Sequence, residues 1–175
     1  MSTIKKFLNL IFIDGLSGMA LGLFSTLIIG TILKQIADLI GGDFGYYLGV
    51  FAVIAQRLTG AGIGIGVAYK YKSSTYVTLS AAAAGMIGAY ATTIISGSIL
   101  SDGALVYSGP GDPLSAFIAA LAGIAIGSLP AGKTKLDLLI TPAVTIITGG
   151  AAGIIVGPPV SAIMTKLGDV INWGT

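Results

Sequence analysis

The sequence has no cysteine and no histidine, and all seven of its acidic residues are aspartates. Without these side chains the chain can form no thiol nucleophile, no imidazole base and no metal site of the Cys/His type. We therefore expect a protein that is not an enzyme, with no catalytic residues, no metal and no cofactor.

Charge is also scarce. Only 9% of the residues are charged, against about 25% in a soluble domain. The hydrophobic fraction is 54% and the mean hydropathy is +0.96. The nine basic residues form no basic face, so nucleic acid is not an expected partner. This composition predicts an integral membrane protein in which residues 1–175 make one transmembrane domain, with the lipid bilayer as its main partner.

Long uncharged runs are the main structural signal. About 20 apolar residues in a helix cross the hydrocarbon core of a bilayer. The runs predict an all-α fold of about five transmembrane helices, near residues 15–33, 44–69, 74–97, 113–130 and 138–156. Two shorter segments have apolar residues at helical spacing opposite a polar face, which is typical of amphipathic helices. They lie at the two ends of the chain, at residues 4–13 and 160–173.

Glycine is abundant, with 27 residues, and it recurs at four-residue spacing. Small residues at this spacing let membrane helices approach closely. The sequence therefore predicts tight helix packing. The stripe Gly149, Gly153 and Gly157 is our predicted contact between two copies of the chain.

Two Gly-Pro segments predict broken or re-entrant backbone. Residues 109–116, GPGDPLSA, resemble residues 157–162, GPPVSA. Irregular backbone at membrane depth is tolerated where it is buried in protein or lines a water-filled cavity, and in transporters it holds the ligand. Gly157, Pro158 and Pro159 are therefore candidate site residues. Residues 157–173 either re-enter the membrane or lie at its interface.

Arg57 is the only arginine and lies within the second apolar run, beside Gln56. A charge at the centre of a lipid-facing helix costs on the order of 3 kcal/mol, so Arg57 is expected to face protein, water or an aspartate. One interpretation is a structural ion pair or a clamp on backbone carbonyls. The other is that Arg57 and Gln56 contact a transported solute.

Two aspartates complete the candidate residues. Asp14 precedes the first span, so it is either the N-cap of that helix or a functional carboxylate within the membrane. Asp137 lies between a basic turn and the fifth span. Both are assigned here to substrate binding or transport rather than to catalysis.

Residues 127–134, GSLPAGKT, match the P-loop pattern G-x-x-x-x-G-K-T. A P-loop needs a buried strand before it, whereas an apolar span precedes this segment. We interpret it as a cytoplasmic turn in which Lys133 and Lys135 follow the positive-inside rule.

The distribution of lysines predicts the orientation of the chain in the membrane. Six lysines lie on the same side of the membrane as the N-terminus and two lie on the other side, which places the N-terminus in the cytoplasm.

The stretch from residue 111 to residue 164 resembles the membrane domain of bacterial sugar phosphotransferase systems. It begins GDPLSAFIAALAGIAIGSLPAGKTKLDLLITP and ends in GGAAGIIVGPPVSAIM, and MALGLFSTLIIGTILKQI near the start is similar. The resemblance is greatest to the divergent EIIC-like branch and covers about half of the chain. It implies a homodimer in the bacterial inner membrane, a small polar solute such as a sugar, and a cytoplasmic phosphotransferase component as partner.

The chain departs from that family in two respects. It is about half the size of such a domain, and it lacks the His and Glu that sugar-binding members present to the sugar. Two hypotheses therefore stay open. One is a transporter-like protein that binds or moves a small polar solute as a homodimer. The other is a non-transporting membrane scaffold or regulatory module derived from an EIIC domain.

Overall fold

The computed structural model describes the backbone of residues 9–173, and the side chains of that range except residues 10 and 167–172. Most of the amphipathic helix predicted at 4–13 lies outside the described residues. Within them the chain forms seven helices and one two-stranded hairpin. The helices are α1 (Ile11–Ile40), α2 (Gly42–Arg57), α3 (Thr59–Lys70), α4 (Thr75–Ala89), α5 (Ala91–Ile95), α6 (Pro113–Gly127) and α7 (Asp137–Trp173). The strands are β1 (Leu100–Ser101) and β2 (Ala104–Leu105), paired antiparallel.

Local sequence sets the starts of two helices, α4 and α6. Ser74 caps α4 by accepting a hydrogen bond from the backbone N–H of Val77, and Asp112 caps α6 in the same way. Pro113 stands at the first position of α6, where its missing N–H costs nothing. α1 is continuous with a π-helical stretch at its start, Leu10–Gly15, and contains a second one, Phe24–Ile28.

The bundle is built from the first half of α1 together with α3, α4, α6 and α7. α3 packs between α1 and α4, and α4 packs against both α6 and α7. The core contains few large side chains, among them Ile63, Val67, Val77, Tyr90 and Phe117. Much of the remaining contact is made by glycine and alanine. The helices therefore lie close enough for their backbones to touch.

The second half of α1 and the whole of α2 form a helical hairpin, which we call the arm (residues 29–57). The chain reverses at Gly41 and Gly42, whose φ angles of +64° and +61° favour glycine. The two helices of the arm pack almost entirely on each other. Their outer faces are apolar and exposed, as Leu39 at 87% and Phe44 at 68% show.

The all-α membrane fold predicted from the sequence is confirmed. α1 and the first 30 residues of α7 are long and apolar enough to cross a membrane, and the pair α2 and α3 forms a third candidate with a 54° bend. α4 and α6 have 15 residues each, which corresponds to about 22 Å of helix and falls short of a bilayer core of about 30 Å. The five-span arrangement itself stays a prediction.

Broken helices occur, but not where the Gly-Pro segment predicts one. The breaks lie at Leu58, between α2 and α3, and at Tyr90, between α4 and α5. α7 continues through Pro158 and Pro159 to Trp173, so the predicted break at Gly157 to Pro159 is wrong. Side-chain hydrogen bonds hold α7 on both sides of the proline pair, at Gly157 and at Ser161. Residues 160–173 continue α7 rather than forming a separate helix.

The glycine stripe on α7 packs inside the chain rather than between copies. A Cβ added to Gly149 would lie 2.7 Å from the carbonyl oxygen of Ala119, and one added to Gly153 would lie 2.8 Å from the Cα of Gly88. One at Gly157 would lie 2.7 Å from the Cβ of Ala91. The dimer contact predicted for this stripe is therefore wrong.

The packing makes a testable prediction for two glycines. A Cβ on Gly64 would lie 2.0 Å from the carbonyl oxygen of Ala81, whereas one on Gly49 would meet its nearest neighbour at 3.7 Å. Gly64→Ala should lower the free energy of unfolding by about 1–3 kcal/mol, because two backbones must separate. Gly49→Ala should raise it by up to about 1 kcal/mol through helix propensity. Thermal unfolding in one detergent compares them, and equal effects would contradict the packing.

Candidate functional site

A groove runs along the arm between its two helices. Its volume is about 600 Å³. Glycines form much of its floor and charged or aromatic side chains stand at its edges. We call it the arm groove and define it by Lys34, Ala37, Asp38, Gly41, Gly42, Gly45, Tyr46, Gly49, Val50, Val53, Ile54 and Arg57.

Arg57 is the last residue of α2, and its side chain is exposed at one end of the arm groove. Among the described residues its guanidinium has no ion pair and no hydrogen bond, so neither the aspartate nor the carbonyl partner expected from the sequence is present. Lys34 lies 4.0 Å from Asp38, one helical turn away on α1. The groove therefore combines two cations with one carboxylate, and it carries a net positive charge.

Gln56 has a different role from its neighbour. Its Nε2 donates a hydrogen bond of 3.1 Å to the hydroxyl of Thr31, which in turn donates 2.8 Å to the carbonyl of Leu27. This link ties α2 to α1 where Gly30 lets the two helices approach. Gln56 thus holds the arm together and does not line the groove.

The break after Arg57 is fixed by buried polar contacts. The Thr59 hydroxyl donates 2.5 Å to the carbonyl of Gln56. Tyr90, only 2% exposed, places its hydroxyl 2.7 Å from the carbonyl of Gly109 and 3.2 Å from that of Arg57. The bend between α2 and α3 is therefore tied to the loop that precedes α6.

Asp112 joins the start of α6 to the second half of α7. Its Oδ1 accepts from the backbone N–H groups of Leu114 (3.0 Å) and Ser115 (3.4 Å). Its Oδ2 accepts from the hydroxyls of Ser115 (2.7 Å) and Ser161 (2.6 Å). We call these three residues, Asp112, Ser115 and Ser161, the Asp112 clasp.

The Asp112 clasp brings together the two Gly-Pro segments that resemble each other in sequence. The Ser115 hydroxyl also lies 3.4 Å from the carbonyl of Gly157, and the backbone N–H of Asp112 donates 2.8 Å to the carbonyl of Ala89. Each of the two carboxylate oxygens of Asp112 already accepts two hydrogen bonds. The arrangement is suited to holding three helices in register rather than to binding a ligand.

Asp14 and Asp137 lie at the other end of the bundle. Asp137 accepts from the backbone N–H of Gly132 (3.0 Å) and from the buried hydroxyl of Thr141, so it closes the turn before α7. Asp14 is exposed and lies inside a helical stretch, so its interpretation as an N-cap is wrong. Burial raises the pKa of Tyr71, in the turn after α3, and the negative charge of Asp14 raises it further.

The segment that matches the P-loop pattern is a turn. α6 ends at Gly127, and Gly132, with a φ of +72°, precedes Asp137 in the connection to α7. The element directly before this segment is the helix α6 and not a strand. The geometry agrees with its interpretation as a loop between two apolar helices.

The predicted site residues thus fall in three separate places. Arg57 lies in the arm groove, Asp14 and Asp137 lie at the opposite end of the bundle, and Gly157 to Pro159 lie beside the Asp112 clasp. Sequence reasoning missed several residues that the structure makes prominent. They are Lys34, Asp38 and Tyr46 in the arm groove, Tyr90 at the break, and Asp112, Ser115 and Ser161 in the clasp.

The sequence carries a recognisable signal for one of these residues, Asp112. The pair Asp112-Pro113 is typical of an N-cap followed by the first helical residue. The others had no local signal, because Lys34 and Asp38 mark only the end of an apolar run in the sequence. Their grouping depends on the return of α2 along α1.

Comparison with known proteins identifies one family. The family model described as "Phosphotransferase system, EIIC" matches residues 13–175, which is most of the chain. No curated protein and no solved structure matches it. The matched range includes both the arm groove and the Asp112 clasp.

The Asp112 clasp makes a testable prediction about stability. Asp112→Ala removes a helix cap and two hydroxyl contacts to a charged group, so it should lower the free energy of unfolding by about 2–4 kcal/mol. Ser161→Ala removes only the link to α7 and should cost about 1–2 kcal/mol. Thr165→Ala is the control, because its exposed hydroxyl bonds only within α7. If Ser161→Ala melts at the same temperature as the control, the clasp does not join the helices.

Proposed function

Because the chain belongs to the phosphotransferase-system EIIC family, we propose that it binds a small polar solute such as a sugar and moves it across a membrane. The family match supports a transport role and a membrane location. The observation that carries the proposed site is the guanidinium of Arg57 at the edge of the arm groove, which has no ion pair or hydrogen bond among the residues that the structure describes.

The dimensions and chemistry of the arm groove suit a polar solute. Ligand sites in proteins commonly enclose about 300–1,000 Å³, and this groove measures about 600 Å³. Arg57 offers five N–H donors in a fixed plane, and Asp38 offers an acceptor on the facing helix. Tyr46, 67% exposed, presents an aromatic ring at the edge. Arg57 and Tyr46 are separated by about 16 Å along α2, so one sugar ring could meet Arg57 at one end of the groove, or Asp38 and Tyr46 towards the other.

Energetics favour a polar occupant at Arg57. An arginine among apolar helices costs on the order of 3 kcal/mol unless it meets water or a polar partner. The neighbouring side chains are largely apolar, including Ile54 in the arm and Leu58 at the break that follows it. A solute or water in the arm groove would meet this requirement.

We further propose that the protein works as a homodimer. The arm packs mainly on itself, and its groove is open on one side. Exposed apolar residues cover its outer face, among them Ile36, Leu39, Phe44, Tyr47 and Phe51. Closed two-fold symmetry is the commonest way to cover such a surface, and a second copy would also close the open side of the groove.

The chemistry of phosphate transfer is assigned to a partner. This chain has no His and no Cys to carry a phosphoryl group, and its acids are all aspartates. We propose that the chain is not itself an enzyme and that a cytoplasmic phosphotransferase component acts with it. That partner would approach the end of the bundle that carries Lys133 and Lys135.

We propose the bacterial inner membrane as the location, with the N-terminus in the cytoplasm. The distribution of lysines supports this orientation through the positive-inside rule. Since the chain has no native cysteine, Thr134→Cys can be labelled specifically. Labelling from outside intact cells by an impermeant thiol reagent would reverse the orientation.

The alternative function is a membrane scaffold or regulatory module that transports nothing. The solid packing of the bundle favours it, because glycine and alanine bring α3, α4, α6 and α7 into backbone contact. In this case Arg57 would contact lipid headgroups or a partner protein. Solute binding separates the two functions.

The proposed function predicts Arg57-dependent binding. We expect at least one sugar in a panel of glucose, mannitol and N-acetylglucosamine to raise the melting temperature of the purified chain. Arg57→Gln should weaken that binding about tenfold or more, because a charged hydrogen bond contributes roughly 1.5–3 kcal/mol. Arg57→Lys should recover only part of it, since lysine lacks the planar set of donors.

Lys166→Gln is the matched control, because it removes one exposed positive charge that does not line the arm groove. It should bind the same sugar as the unmodified chain does. Absence of binding by every sugar tested, or unchanged binding by Arg57→Gln, would favour the scaffold function.

A further inference from the structure

A second groove lies at the end of the bundle opposite the arm. It measures about 700 Å³ and runs between α6 and the turn that joins α3 to α4. Its wall is apolar and includes Ile118, Leu121 and Ala125 of α6. Its rim is polar and includes Lys72, Ser73 and Ser128. We call it the lysine-rimmed groove.

The polar and apolar parts are separated along the helix axis. Ser128 directly follows the end of α6, while Ile118 lies ten residues earlier, which corresponds to about 15 Å. The rim therefore lies at the end of the bundle and the apolar wall extends towards its middle. This is the arrangement expected for a molecule with a polar head and an apolar tail.

The rim carries positive charge that is not neutralised. Among the described residues, the ammonium of Lys72 has no carboxylate partner, and Lys70, Lys133 and Lys135 have none either. Of the two acids placed at this end among the described residues, Asp137 is engaged with Gly132 and Thr141, which leaves Asp14, near Tyr71, as one carboxylate against these four lysines. The site therefore complements a negative group.

Backbone donors add to this preference. α4 begins at Thr75 beside the rim, and its N-cap Ser74 lines the groove. The N-terminus of a helix carries a partial positive charge and unpaired N–H groups. Lys72 is held in the left-handed region at a φ of +51°, so the turn that presents it is tightly defined.

We propose that the lysine-rimmed groove binds an anionic phospholipid. Its phosphate would lie at Lys72 and Ser73, and one acyl chain would lie along Ile118, Leu121 and Ala125. Basic pockets between membrane helices bind anionic headgroups. A soluble anion would need the rim alone and would leave the 15 Å apolar wall unused. This lipid site is independent of solute binding in the arm groove.

The test uses native mass spectrometry of the full chain in mild detergent, titrated with dioleoyl phosphatidylglycerol or dioleoyl phosphatidylcholine. The two lipids share their acyl chains and differ in net charge. We expect the anionic lipid to bind about tenfold more tightly. Lys72→Gln should remove roughly fivefold of that preference, because one lysine near a charged headgroup contributes about that factor.

Matched variants separate this site from general surface charge. Lys70→Gln changes the same charge two residues away, outside the groove lining, and should bind as the unmodified chain does. Ala125→Phe should fill the groove and weaken binding of both lipids, with Ala125→Leu in its place if the phenylalanine variant does not fold. Ala143→Phe, at an exposed position on α7, should have no effect.

Three outcomes would overturn the proposal. Equal binding of the two lipids would remove the role of the charged rim. If Lys70→Gln and Lys72→Gln lose the same amount of preference for the anionic lipid, that preference arises from diffuse surface charge and not from this groove. A change of oligomeric state in Ala125→Phe, with lipid preference intact, would show that a second copy covers the groove.

Discussion

Direct contact between helix backbones is the interaction on which this structure depends. At several crossings a glycine leaves no room even for a methyl group, and at Gly64 an added Cβ would lie 2.0 Å from a carbonyl oxygen. Close contact gains dispersion energy without large side chains, which suits a membrane protein whose surroundings supply little hydrophobic driving force. The consequence is a bundle in which many of the larger apolar side chains are exposed on the surface. Lipid or protein must then cover the arm.

The sequence predicted the broad architecture because its signal is strong and local. Uncharged runs indicate helices, and the structure divides the second of these runs at Leu58, directly after Gln56 and Arg57. The proline pair predicted a break that α7 does not have. The hydrogen bonds from Ser115 to Gly157 and from Ser161 to Asp112 support the helix on both sides of the prolines. The glycine stripe on α7 misled for a related reason: spacing reveals a close contact but not which helix makes it.

The candidate site was predictable only in part. Arg57 stands out by charge alone, since it interrupts an apolar run. The arm groove does not, because it arises only when α2 folds back along α1 and sets Lys34 and Asp38 beside the glycines of the facing helix. Asp112 was also predictable only in part. Its role as a helix cap depends on neighbouring residues, whereas its hydrogen bond to Ser161 joins residues that are 49 positions apart. Long-range pairings of this kind leave no periodic signal in one sequence.

The arm gives the structure its clearest functional requirement. It presents an apolar outer face and an open groove, and within the described part of the chain the arginine of that groove has no ion pair. A second copy would cover the apolar face and close the groove. Light scattering of the unmodified chain in mild detergent, corrected for bound detergent, tests this account most directly. It predicts a particle of two chains of 17.5 kDa each. A monodisperse particle of one chain would contradict it, because the groove would then stay open to the surroundings of the arm.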